Sequence, residues 1–328
     1  MVNATIAKTI DVAADTLIST MPLEKTDAVT LISKAITGGE IVESSGTAIS
    51  EWIEKRLKPN AVLIDLRGYT TMCVDALKIA TSTAPTDYGS SRQRDLGQLW
   101  ADLTRGYLGE YAFKLFLQNN WSIEIALGHE KGKLVEYLAN DIAQVRDRSG
   151  NWRVPLKSVS IKTTKINGVW LDIPGDQFSH SQIHALVKVA AGRDHLFGFF
   201  KYLSVFKDKV LASGVSAGNL TGQEADALFK KLPDFREIPA FICGFVKRDV
   251  EYAELSYRGK PGSKNYTITS WNGPISPGDL DKIKTVERVA GKVSFEGIGE
   301  FAHEKGFLFN TGSLRWTREE WHEVTNSI

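Results

Sequence analysis

The chain has 328 residues, of which 42% are hydrophobic and 24% are charged, and its formal net charge is +1. This length predicts one large domain or two ordinary ones, and the composition favours a packed core over disorder. Two cysteines exclude a disulfide scaffold and a four-cysteine zinc site, and the near-neutral charge excludes a histone-like polycation. No apolar run is long enough to span a bilayer and the N-terminus lacks signal-peptide features, so we expect a soluble cytoplasmic protein.

In chain order, the periodicity predicts helices within residues 1–60, the second of them ending at Gly38. Residues 61–82 predict a short strand and a helix, 83–92 a loop, and 92–119 a long helix. Strands are predicted at 141–145, 157–164, 185–189 and 238–246, a flexible basic loop at 258–266, and a helix at 280–293. Helices followed by strands indicate an α/β or α+β core.

A carboxylate lies within the apolar stripe of the long helix. Tyr107 and Glu110 follow Leu103 at i+4 and i+7, so the three side chains share one helix face. Gly106 and Gly109 beside them leave room for another group to approach. A carboxylate buried there needs a lysine or a metal ion as its partner. The alternative is that Glu110 lies at the solvent edge of the stripe.

The segment KSVSIKTTK alternates polar and apolar residues. In a strand, Ser160 and Lys162 therefore share one face, while Val159 and Ile161 point to the other. A lysine in the middle of a central strand is unusual unless it is paired or functional, although a solvated sheet face would also fit. Asp141 begins the preceding apolar strand, where an aspartate is commonly a turn residue.

Three of these residues can converge on one point. Neighbouring strands lie about 4.8 Å apart, so Asp141 and Lys162 can meet at a sheet edge that Glu110 reaches from a packed helix. Two carboxylates suit Mg²⁺ and leave coordination positions for water and phosphate oxygens. The ion would polarise the phosphate, while Lys162 would orient or activate the attacking water. This combination predicts hydrolysis of a phosphodiester.

The order of these residues resembles the PD-(D/E)XK nuclease superfamily and, within it, type II restriction endonucleases. The resemblance is carried by SSRQRDLGQLWADLTRGYLGEYAFKLFL, LANDIAQV and VSIKTTKINGVWLDIP, and covers about residues 90–205. It implies that Asp141 is a metal ligand, Lys162 the motif lysine and Glu110 the helix glutamate. It also implies a mixed central β-sheet flanked by helices. The chain would form either one compact domain or three regions: a helical N-terminal region at 1–90, a core at 91–250, and a C-terminal extension at 251–328 for DNA recognition or dimerisation.

Two positions depart from the family pattern. Asn140 stands where the family has a proline, and Ser160 stands where it has its second acidic residue. Some restriction enzymes resemble this Ser-x-Lys variant and take the missing carboxylate from elsewhere. Asp176 and Glu110 are the candidates here, whereas Asp172 is less suitable because it lies in a continuing strand. With neither in place, the site would hold one metal ion or be inactive.

Basic residues in exposed segments are candidates for DNA contacts, because cations bind phosphates and arginine can also pair with guanine. For the loop RGKPGSKNY, a solvated surface is the alternative. His180 and His184 have a spacing that can bind zinc, but no third ligand accompanies them. The predicted DNA-binding residues are Arg92, Arg94, Lys165, Arg258, Lys260 and Lys264.

The sequence thus predicts a Mg²⁺-dependent, sequence-specific endonuclease of double-stranded DNA, acting as a homodimer on a palindromic site. The family resemblance also implies a cognate DNA methyltransferase that protects host DNA without direct contact. Two alternatives stay open: a structure-specific nuclease of repair or recombination, and a DNA-binding protein without catalysis. Ser160 is the residue that favours the last of these.

Overall fold

The structure, a computed structural model, describes residues 4–81, 95–128, 140–147, 149–252, 254–296, 299–301 and 305–328, without the side chains of residues 4 and 176. Within these ranges, no helix combines the length and the apolar character needed to cross a membrane. The helices, numbered along the chain, are α1 (Ala4–Ile18), α2 (Lys25–Thr37), α3 (Gly46–Trp52), α4 (Leu66–Ala80), α5 (Leu96–Trp121), α6 (Gly175–His180), α7 (Arg193–Tyr202), α8 (Ala212–Ser216), α9 (Gly222–Lys231), α10 (Pro277–Val286) and α11 (Arg318–Thr325).

The strands form a mixed central sheet and three smaller sheets. They are β1 (Ala61–Ile64), β2 (Ile125–Leu127), β3 (Ile142–Arg146), β4 (Trp152–Arg153), β5 (Val159–Lys165), β6 (Trp170–Pro174), β7 (Ile183–Val189), β8 (Ile238–Lys247), β9 (Ser256–Pro261), β10 (Tyr266–Asn272), β11 (Val293–Phe295) and β12 (Gly306–Asn310). The central sheet has the order β1-β8-β7-β5, in which β5 and β7 are parallel and the other pairs antiparallel. The smaller sheets are β2-β3-β4, β6-β12 and β9-β10-β11. The predicted mixed α/β architecture is confirmed.

The two faces of the central sheet are covered by different helices, as the alternation of apolar residues along its strands requires. On one face, Val159 and Val187 pack against Phe113 and Phe116 of α5, and all four side chains are almost fully buried. On the other face, Phe241 joins the core formed by α1, α2 and α3. The chain therefore forms layers of helix, sheet and helix around the strand that carries Lys162.

Buried charges fasten the N-terminal helices to this sheet. Glu40 accepts a hydrogen bond from Lys188 of β7 at 2.8 Å, and its second carboxylate oxygen lies 3.8 Å from the guanidinium of Arg56. Arg56 donates to the carbonyl groups of Cys243 and Thr311, at 2.9 and 2.7 Å. We call Glu40, Arg56 and Lys188 the buried charge cluster. Their side chains are paired with one another, as charges out of water must be.

The N- and C-terminal segments both contribute to the central body. β1 adds an edge strand to the sheet, and β12 pairs with β6. Trp321 of α11 is fully buried, and its ring lies 5.7 Å from that of Phe113 and 4.5 Å from that of Phe245. Residues before 90 and after 250 thus share hydrophobic cores with the region between them.

The prediction of a flexible loop at 258–266 is wrong for its first part. Residues up to Pro261 form β9, which pairs antiparallel with β10, with a register shift between Ile268 and Ser270. Glycine and proline suggested a loop, but Gly259 makes room for the ring of Tyr266, which would lie 2.2 Å from a Cβ at that position. Pro261 lies in β9, the edge strand of its sheet, where a missing amide donor is tolerated.

Candidate active site around Lys162

Lys162 lies in the middle of β5, at the edge of the central sheet. Val159 and Ile161 are buried in the core under α5, and Ser160 is buried on the opposite face, so the predicted alternation is confirmed. The Lys162 ammonium donates a hydrogen bond to Oε1 of Gln177 in α6. Because β5 is the last strand of the sheet, groups from both faces can reach this ammonium.

The charges of three carboxylates act on Lys162. Burial lowers the pKa of its ammonium below the ordinary 10.5, and the negative charges of Asp141, Asp172 and Glu110 oppose that shift. Desolvation favours the neutral amine, whereas nearby carboxylates favour the ammonium ion. The sequence prediction that Asp141, Glu110 and Lys162 lie near one another agrees with these interactions.

Asp141 is held by the first residues of β5. Its amide donates to the carbonyl of Val159 at 2.9 Å, and its Oδ2 accepts from the amide of Ile161 at 2.5 Å. The side-chain oxygen of Asn140 accepts from the amides of Val159 and Ile142, at 3.0 and 3.1 Å. Asn140 therefore joins β3 to β5 and fixes Asp141 beside the strand of Lys162.

Asp172 is the residue that the sequence interpretation underrated. It does lie in a strand, β6, as expected, but this strand brings its carboxylate close enough to Lys162 to act on the lysine pKa. Asp176, which with Glu110 was a candidate for the second carboxylate, lies in α6, and its side chain is outside the described residues. The strand that follows β5 in the chain thus brings a carboxylate whose charge acts on Lys162.

Glu110 is half-buried on α5, at the border of the buried helix face. Leu103, Tyr107 and Glu110 are all half-buried, so the predicted stripe lies at the edge of the buried helix face, and Tyr107 packs against the core. The helix face that packs on the sheet is shifted by about one residue and contains Leu99, Thr104, Leu108, Gly109, Ala112, Phe113, Phe116 and Leu117. Gly109 does admit another group, namely Thr163, whose hydroxyl donates to the carbonyl of Gly106 at 3.1 Å.

A histidine on the neighbouring strand completes the surroundings of Lys162. His184 pairs with Ser160 across β5 and β7, is fully buried, and stacks on Phe178 with ring centres 5.5 Å apart. Burial and the charge of Lys162 lower the pKa of His184 to about 4. The imidazole is therefore neutral at pH 7 and adds no second positive charge beside the lysine.

The predicted DNA-binding residues fall into separate groups. Lys165 is exposed at the end of β5, and Arg258, Lys260 and Lys264 are exposed on the hairpin of β9 and β10, where Lys260 pairs with Glu296 at 3.1 Å. That hairpin belongs to a small sheet that packs against β6 through Trp170 and Trp271, whose rings lie 6.2 Å apart. The predicted contacts at positions 92 and 94 lie outside the described residues.

In the part of the chain that the structure describes, no three His, Cys, Asp or Glu side chains lie close enough to bind one metal ion together. No protein-family model, curated protein or solved structure gives a significant match to this chain.

Proposed function

We propose that this protein is a Mg²⁺-dependent, sequence-specific endonuclease of double-stranded DNA, of the type II restriction kind. The observation that carries the proposal is Lys162, half-buried at the edge of the central sheet, where the charges of Asp141, Asp172 and Glu110 act on it. A lysine with several carboxylates at one sheet edge is the equipment of metal-assisted phosphodiester hydrolysis. Such clustering of opposed, partly buried charges is typical of functional sites.

The oxygen ligands near Lys162 fit Mg²⁺. This ion is commonly held by one or two carboxylates, with water and phosphate oxygens in its other positions, so a third protein ligand is not required. Asp141 and Asp172 would hold it, and Glu110, the further ligand expected from the sequence, would contribute its negative charge from α5. When bound, the ion would polarise the scissile phosphate and lower the pKa of a coordinated water.

The protein's own groups orient the reaction. Gln177 accepts a hydrogen bond from Lys162 and so holds the ammonium at the strand edge, where it can donate to a phosphate oxygen or to the attacking water. Burial lowers the lysine pKa, which eases proton exchange with that water. The amide of Ile161 holds one oxygen of Asp141 in place. The hydroxyl of Ser160 has no negative charge and would bind a cation only weakly. Asp172 would therefore supply the carboxylate.

DNA would reach this site along exposed cations. Lys165 continues the catalytic strand, and the basic hairpin with Arg258, Lys260 and Lys264 offers phosphate contacts on a small sheet joined to β6. As further parts of the proposal, a homodimer would cut both strands of a palindrome, and a cognate methyltransferase would protect host DNA in the cytoplasm.

A non-catalytic DNA-binding protein is the second candidate, and Ser160 is the observation that favours it. A structure-specific nuclease is an alternative with the same catalytic residues. Cleavage of supercoiled plasmid and phage DNA in Mg²⁺ or in EDTA separates the three. Discrete fragments support the proposed function, cleavage of junctions or flaps alone supports the structure-specific enzyme, and no cleavage in Mg²⁺ or Mn²⁺ supports the binding protein.

Isosteric variants test the site itself. Asp141→Asn, Asp172→Asn and Lys162→Met should each lower cleavage by roughly 10²–10⁴-fold, the usual effect of removing a group that acts in the transition state. Asp281→Asn, on an aspartate whose side chain is 75% exposed in α10, is the matched control and should cut like the wild type. Full activity of Asp141→Asn, with its fold verified by circular dichroism, would remove the basis of the proposal.

A further inference from the structure

A large cleft lies at the other end of the catalytic strand and plays no part in the proposed chemistry. Its volume is about 800 Å³, within the range of roughly 300–1,000 Å³ found for small-molecule sites. It opens at the carboxyl ends of the parallel strands β5 and β7, beside Lys165 and Val189. In open sheets with parallel strands, such ends are where ligands commonly bind.

The walls of the cleft are aromatic and apolar. Trp100 of α5 and Phe200 of α7 lie with ring centres 6.3 Å apart, and Tyr69 of α4 adds a third ring. Trp100 is fixed by a hydrogen bond from its indole nitrogen to the carbonyl of Cys73, at 2.8 Å. A planar, uncharged ring system of the ligand would find stacking surfaces here.

The rim of the cleft is cationic. Among the described lining residues, the cations are Arg105, Lys165 and Arg193 and the carboxylate is Asp27. Arg193 also lies 3.3 Å from the exposed carboxylate of Asp194, the next residue in the chain. Arg105 lines the cleft with 28% of its side chain exposed, and its terminal nitrogen lies 3.3 Å from Asp102. The exposed part of the guanidinium can donate to an anionic ligand atom in the cleft, because charge-assisted hydrogen bonds to such an atom are strong. The first turn of α7, which begins at Arg193, adds amide groups that favour an anion.

We propose that this cleft binds a nucleoside 5′-monophosphate unit, with the base against Trp100 and Phe200 and the phosphate at Arg105. The unit has two possible sources: a free nucleotide, or one nucleotide of a DNA strand turned out of its helix. The second source rests on the proposed function, which places a DNA strand at Lys162. The cleft lies three residues along β5 from Lys162, about 10 Å at 3.3 Å per residue, so a nucleotide near the cleavage site could enter it.

Calorimetric titration of the full chain in EDTA tests the free-nucleotide source without any contribution from cleavage. Deoxyadenosine monophosphate should bind at millimolar concentration or below, and deoxyadenosine and inorganic phosphate should each bind at least roughly tenfold more weakly, because each makes only half of the contacts. Ala101→Phe fills the cleft from an exposed lining position and should abolish binding. Arg105→Gln should weaken it roughly tenfold, and the exposed Arg318→Gln is the matched control.

A duplex containing 2-aminopurine tests the strand source, since its fluorescence rises when the base leaves the stack. A rise with the wild type that Ala101→Phe removes assigns the cleft to a nucleotide of the strand, and nucleotide binding without a rise assigns it to the free ligand. The inference is overturned if neither occurs, or if both folded variants, Ala101→Phe and Arg105→Gln, bind like the wild type. Asp141→Asn should retain nucleotide binding, so failure of the nuclease proposal would leave this result unchanged.

Discussion

Two glycines one turn apart in α5 should respond in opposite directions to replacement by alanine. A Cβ at Gly106 would have nothing within 4 Å, whereas a Cβ at Gly109 would lie 1.8 Å from the hydroxyl oxygen of Thr163. Alanine in a helix interior is favoured over glycine by about 0.5–1 kcal/mol. Gly106→Ala should therefore raise the free energy of unfolding by that amount.

Gly109→Ala should lower the free energy of unfolding instead. An ordinary contact begins at 3.4 Å, so α5 and β5 would have to separate by about 1.6 Å, or Thr163 would have to turn away from the carbonyl of Gly106. Overpacking of this kind costs about 1–3 kcal/mol, which exceeds the gain in helix propensity. Urea unfolding followed by circular dichroism measures both variants on the same scale.

A second substitution tests the cause. Thr163→Ala removes the hydroxyl oxygen at 1.8 Å and the Cγ2 at 2.8 Å from the new methyl group but keeps the Cβ at 2.8 Å, so in the Gly109→Ala background it should restore part of the lost stability. The coupling between the two sites should be at least about 1 kcal/mol. If Gly109→Ala is as stable as Gly106→Ala, then α5 does not contact β5 at Gly109 and Thr163. The approach of Glu110 to Lys162 would then be misassigned as well.

The remaining predictions concern buried titratable groups. Lys188→Met should lower the free energy of unfolding in urea by about 3–5 kcal/mol, because it leaves the buried Glu40 without its closest cation; a cost below about 1 kcal/mol contradicts this. Burial would raise the pKa of Glu40, but Lys188 and Arg56 outweigh it and hold it at about 2. The stabilisation by Glu40 is therefore complete above pH 4.5 and is lost as the pH falls towards 2. Urea unfolding as a function of pH should show a decrease of about 3 kcal/mol in the free energy of unfolding over this range, and a constant value would contradict the prediction. Burial also lowers the pKa of His184 and His195 to about 4, so the stability that depends on their neutral rings is complete above pH 6.5 and declines towards pH 4. Proton NMR titration should give midpoints near 4. Midpoints near 6.5 would show that the rings are solvated.

Local patterns predict β5, the strand of Lys162, well. The alternation of apolar and polar residues assigns the faces of β5 correctly, because a strand buried under a helix on one side can have only one register. The same reasoning fails by about one residue on α5. That helix is covered by the sheet, by α4 and by α11 together, so its buried face is wider than the stripe that begins at Leu103.

Contacts between distant segments could not be predicted. Asp172 reaches Lys162 because β6 pairs with β12, more than 130 residues further along the chain, and no local pattern reveals that pairing. Gln177 is one of several polar residues in α6, so its residue type alone does not identify it as the partner of Lys162. Lys188 did carry a signal, since it interrupts the apolar run ALVKV, but its partner Glu40 lies 148 residues away.

The buried charge cluster delays the final folding of the N-terminal helices until the C-terminal segment has been synthesised. Arg56 donates to the carbonyl of Thr311, 255 residues later in the chain. At about 5–20 residues per second, a ribosome would need roughly 13–50 s to make that acceptor after the arginine has been joined. Throughout this interval the N-terminal helices carry a cation that still lacks one of its buried partners. They therefore cannot complete their packing ahead of the rest, and a nascent chain released before residue 311 should be a substrate for chaperones or proteases instead of a folded N-terminal fragment.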